Sequence, residues 1–138
     1  MADKVVITVK SFCENPGPRY ISQGDDSGEK FYHDVLNKAF YDAVNSKKKL
    51  IVNLDSTSGY ASSFLDEAFG NLIFDFGKEL VENNVEIISN EEPEWKDMIF
   101  KETFAEWESR RENNQKPTKS ERHEKWYRYI DKKFVQSE

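Results

Sequence analysis

The 138-residue chain carries 20 basic and 26 acidic side chains, a formal net charge of −6. That length allows one compact domain with an appendage and argues against two full domains, and the acid excess disfavours nucleic-acid and anionic-membrane binding in general. One cysteine, Cys13, excludes an internal disulfide framework, and no apolar run reaches the ~20 residues of a membrane span, so the expectation is a cytoplasmic protein.

The β-branched run from Lys4 to Lys10 predicts a first strand. Residues 13–28, with Pro16, Gly17, Pro18, Gly24 and Gly28, form a long turn region in which 19–22 can make a short second strand. Asp26 or Ser27 can cap the next helix, with Glu29 in its first turn and Phe31, Val35, Leu36, Ala39, Phe40 and Ala43 at helical spacing. The run Leu50–Leu54 has the continuous apolar character of a central strand buried on both faces. A small-residue loop, 55–63, leads into a helix with Phe64, Leu65, Ala68, Phe69, Leu72, Ile73, Phe76 and Leu80 on its apolar stripe, and 85–89 reads as another strand. The fold class is α/β: helices packed on a small mixed sheet, spanning residues 1–90.

Residues 91–138 are denser in charge and hold all three tryptophans, Trp95, Trp107 and Trp126. This half predicts a charged, aromatic helical extension with a linker near 112–119. Its last helix is capped by Ser120 and presents Trp126, Tyr127, Ile130 and Phe134 on one face.

Catalytic and metal-binding patterns are missing. Gly24–Phe31 has the wrong glycine spacing for a phosphate loop, with Glu29 where a lysine belongs. His33 and His123 have no companion at ligand spacing, Asp25, Asp26, Asp66 and Glu67 do not follow a calcium-loop pattern, and Cys13 has only Arg19 near it in sequence. No nucleophile elbow is present. The expectation is a non-enzymatic protein without cofactor or metal.

The informative segment is Ser62–Gly70, where two hydroxyls stand at a helix entrance, close to unpaired backbone N–H groups. Ser63 with Asp66 approximates a capping box, which leaves Ser62 over. A phosphoryl group there would gain from the amides and the positive helix end, opposed by Asp66 and Glu67 if they point the same way.

The segments Asn15–Gly24, Ser27-Gly28-Glu29-x-Phe31, Leu54-Asp55 and Ser62-Ser63-Phe64-Leu65-Asp66-Glu67-Ala68-Phe69-Gly70 resemble the signature of the bacterial STAS-like domain family of unknown function, over roughly residues 4–90. That family is similar in turn to STAS domains, the anti-sigma factor antagonists, whose loop after a central strand presents a hydroxyl to a histidine-kinase-like ATPase. The resemblance implies a STAS-like fold and places Ser62 at that hydroxyl, with Ser63 next. It departs from the STAS pattern at Ala61, where an aspartate is usual, and at Phe64, where a glycine is usual.

The leading expectation is therefore a regulatory protein-binding module, a partner switch controlled by phosphorylation of Ser62 or Ser63. Its partner surface would draw on Arg19, Ser27, Gly28, Glu29, Gly59, Tyr60, Ser62, Ser63, Phe64 and Glu67. The alternative is a structural or defence-related interaction protein whose C-terminal aromatics, Trp107, Trp126, Tyr127 and Tyr129, bind a partner or a second copy. A third class, ligand or nucleic-acid binding along the basic and aromatic stretch 110–133, is weakened by its interspersed acids.

Overall fold

A computed structural model describes residues 3–137. Strand β1 (Lys4–Thr8) is followed at once by a helical turn, α1 (Val9–Phe12), which the Thr8 hydroxyl caps by accepting from Ser11 N. The predicted strand thus ends two residues early, because that hydroxyl offers the backbone a turn instead of a ladder. The short strand expected at 19–22 is absent: Ile21–Gln23 is a 3-10 turn. Glu29 holds the backbone N–H of Ile21 there, so that donor is not available to a ladder.

Helix α2 (Gly28–Phe31) runs through a π turn (Tyr32–Leu36) into α3 (Asn37–Asn45). Of the two candidate caps, Ser27 makes the bond, accepting from Lys30 N at 3.1 Å. Strand β2 (Lys49–Asn53), helices α4 (Ser62–Phe76) and α5 (Lys78–Asn84), and strand β3 (Val85–Ile88) follow. The strands form a sheet in the order β1-β2-β3 with Val5 opposite Leu50 and Leu50 opposite Val85. Every pairing in it is parallel, not mixed as expected, because helical crossovers connect each strand to the next.

Helix α4 is the centre of the molecule. The sequence suggests one apolar stripe, yet Glu67, Gly70, Asn71 and Asp75 on its other faces are buried as well. Helix α6 (Glu94–Met98), a second π turn (Ile99–Thr103) and α7 (Phe104–Glu112) bring Ile99, Phe104 and Trp107 into the same buried cluster as Phe64, Leu72 and Val52. One core thus spans both halves of the chain.

The expected last helix is a hairpin, β4 (Trp126–Ile130) and β5 (Lys133–Ser137), paired antiparallel with Tyr129 opposite Phe134. Its two-residue turn, Asp131-Lys132, has φ of 53° and 62°, the doubly positive geometry that matches strand twist. The chain lacks the Asn-Gly signal of such turns, and the spacing of Trp126, Ile130 and Phe134 mimics a helix face. Packing decides the outcome: Tyr127 stacks on Tyr41 at 3.7 Å, and Asn37 bonds both the N–H and the C=O of Tyr127. Among the described residues no helix is long and apolar enough to cross a membrane.

Candidate functional site

The loop after β2 is pinned from two sides. Ser58 N donates to Glu14 O, Ala61 N to Pro16 O, and the Tyr60 hydroxyl to Leu54 O at 2.7 Å. Across from them, Ser56 N donates to Glu91 and Glu91 N to Asp55. Burial pushes the Tyr60 phenol well above its usual range, so it stays a hydrogen-bond donor. This frame holds the first turn of α4 at the surface.

The two serines separate here. Ser62, the first helical residue, is exposed, and its hydroxyl makes no hydrogen bond among the described residues. The Ser63 hydroxyl, half-buried, donates to Gly17 O at 3.3 Å. Ala61 occupies the N-cap position and no side chain caps the helix, so the predicted Ser63–Asp66 capping box does not form. Ser63 lies too far into the helix to cap it, and Asp66 is engaged elsewhere. Its carboxylate accepts from Arg19 Nη1 at 2.8 Å and from Thr103 and Trp107, both at 3.2 Å.

Arg19 Nη1 also donates to Glu67 at 3.0 Å, so one guanidinium serves both acids of the first two turns. Burial opposes the Arg19 charge, but the two carboxylates outweigh it and raise its pKa. Burial lifts the Glu67 pKa, against its bonds to Asn71 and Arg19. Glu29, also buried, accepts from Ile21 N, from Ser120 N and Oγ, and meets His123 Nε2 at 2.6 Å. Burial works against the Glu29 carboxylate, yet Ser120 and His123 prevail and lower its pKa. Gly28 has no room for a side chain because a Cβ would overlap Phe64 O.

These contacts redraw the expected partner surface. Ser27, Gly28, Glu29, Phe64 and Glu67 are buried and bonded within the chain, and the Arg19 guanidinium is taken by Asp66 and Glu67. The residues that carry the resemblance mostly glue α2 to α4. Ser62 is the exposed member, with Gly59, Tyr60 and Ser63 half-buried beside it.

The C-terminal aromatics turn inward: Trp107 is buried, Tyr127 lies on Tyr41, and Trp126 packs edge-on to His33. Several cations of the same stretch are drawn in with them, Arg111 to Tyr129 O and Arg128 to Asp75. Cys13 is buried, which pushes its thiol up to about 11, away from a reactive thiolate. The two histidines, 90 positions apart, stack at 3.7 Å between ring centroids. Sequence spacing carries no trace of that pair. Among the described residues no group of three or more His, Cys, Asp or Glu is placed to hold a metal ion.

The central strand β2 of the sheet leads through this pinned loop into the exposed start of α4. The model of the STAS-like domain of unknown function (DUF4325) matches residues 27–95, half of the chain, and the chain belongs to that family. The matched span includes Ser62–Gly70 and begins after the Asn15–Gly24 segment. Comparison with curated proteins and with solved structures gives no match in either.

Proposed function

We propose that the chain is a non-enzymatic, regulatory protein-binding module in which a partner reads Ser62, and that phosphorylation of Ser62 switches the partner's affinity. The observation that carries this reading is the exposed, unbonded Ser62 hydroxyl at the start of a 15-residue helix whose first turn has no side-chain cap. A phosphoryl group there adds about −1.5 to −2 charges beside the positive helix end and its open amides. Asp66 and Glu67, which would oppose that charge, are both paired with Arg19. The resemblance to STAS domains supports a histidine-kinase-like ATPase as the class of partner.

The test is incubation of the purified chain with ATP and extract of its native cells, followed by intact mass and peptide mapping. The expected result is one added phosphoryl group on Ser62, lost in Ser62→Ala and kept in Ser63→Ala. An unmodified chain, or modification that persists in Ser62→Ala, overturns the reading.

A further inference from the structure

A cleft of about 390 Å³ opens between the C-terminal half of α4, the segment 116–123 and the β4–β5 hairpin. Its apolar walls are Phe74, Pro117 and Trp126. Its charged lining comprises four cations, Lys116, Lys119, Arg122 and Arg128, against two carboxylates, Asp75 and Glu121, together with the largely buried His123. In a chain of net charge −6, that is a local reversal of sign.

The four cations are not equivalent. Arg128 Nε lies 3.0 Å from Asp75, which also accepts from the Tyr32 hydroxyl, so the Arg128 charge is paired although its buried Nε makes no hydrogen bond. Lys119 is different. Its ammonium has three donors, one of which reaches Asn71 Oδ1 at 3.3 Å, while its charge sits 4.9 Å over the Trp126 ring. No carboxylate lies within ion-pair distance of it among the described residues, and the acids that surround it, Glu29, Glu67 and Asp75, are bonded to other groups. Burial lowers the Lys119 pKa, so the ammonium is held in a site that under-solvates it, and an anion in the cleft would relieve that. Arg122 is exposed beside it and makes no hydrogen bond or ion pair among the described residues.

We infer that this cleft binds a small aromatic monophosphate, its ring lying against the Trp126 and Pro117 walls and its phosphate meeting Lys119 and Arg122. The volume falls in the range of small-molecule pockets, about 300–1,000 Å³. Four cations against Asp75 and Glu121 leave the lining an excess of positive charge, which suits a dianion better than a single carboxylate. This inference is independent of the Ser62 reading, since no residue is shared between the two sites.

Three probes separate the contributions: AMP carries ring and phosphate, adenosine the ring alone, and inorganic phosphate the charge alone. The readout is the Trp126 indole N–H resonance, assigned with Trp126→Phe, during titration to about 5 mM. AMP is expected to shift it saturably, with adenosine and inorganic phosphate each about tenfold weaker. Lys119→Met and the surface change Arg122→Glu are each expected to weaken AMP about tenfold. Arg122→Glu keeps the test decisive if Lys119→Met fails to fold. An unmoved Trp126 resonance overturns the inference, as do equal binding of inorganic phosphate and AMP, or AMP affinity unchanged in a folded variant.

Discussion

The indole of Trp107 lies so close to Gly70 that a Cβ at that position would overlap the ring at Cε2 and Cδ2. This contact fastens α7 to α4, and the same indole donates its N–H to Asp66 at 3.2 Å. Gly70→Ala is therefore expected to destabilise the chain by about 3 kcal/mol, because a packed core accommodates an extra methyl only by displacing a neighbour. In a Trp107→Leu background the same change is expected to cost less than about 1 kcal/mol, since the colliding ring is gone. Urea unfolding of the four chains measures the coupling, and equal penalties in both backgrounds would show that the ring is not the obstacle.

Arg19 joins the turn region to α4 through two acids, one of them, Glu67, with a side chain only 2% exposed. Arg19→Met leaves that carboxylate uncompensated beside Asp66, an expected loss of about 3 kcal/mol. Adding Glu67→Gln is expected to restore much of it, because the second change removes the stranded charge. Arg19→Lys is not expected to substitute, since a point charge does not reproduce a guanidinium that reaches both acids from a fixed plane. Thermal melts of the series test this, and an Arg19→Met chain as stable as the wild type would count against the bridge.

His33 and Asp75 give opposite pH dependences. Burial, then the charges of Lys119 and His123, brings the His33 pKa down to about 2 from 6.5, and both ring nitrogens are buried without a hydrogen bond. The folded state thus keeps His33 neutral while the unfolded chain takes up a proton, and stability is lost as pH falls through 6.5. Between pH 7 and 5 this amounts to about 2 kcal/mol. Burial raises Asp75 from 3.8 to about 6 despite Tyr32, Lys119 and Arg128, so the folded state binds that proton first. Acidification over the same range therefore returns about 1 kcal/mol. Their sum leaves the wild type losing about 1 kcal/mol over that range. His33→Phe is expected to gain stability on acidification from pH 7 to 5, and Asp75→Asn to lose it. Urea midpoints at the two pH values read the signs directly, and parallel slopes in all three chains would refute the assignment.

Local chemistry made several elements legible from residue order. The apolar run Leu50–Leu54 marked a central strand, Asp26 or Ser27 the start of α2, and Ser62–Gly70 the family signature. Each of these depends on neighbours within one or two turns. The capping box, by contrast, failed at Asp66, whose partners Arg19, Thr103 and Trp107 lie 47, 37 and 41 positions away. The partner surface failed in part for the same reason, since Glu29 is covered by Ser120 and His123, more than 90 positions on.

By itself the amino-acid order determined an acidic α/β chain of STAS-like type with a hydroxyl pair at a helix start, because hydrophobic period, caps and signature residues act over short range. Only the tertiary structure decided that Ser62 is exposed while Ser63 is engaged, that the last predicted helix is a hairpin, and that Lys119 lines a cleft in which it reaches Asn71 and the Trp126 ring. Those outcomes follow from which distant groups satisfy a buried charge or donor, a choice that no local pattern encodes.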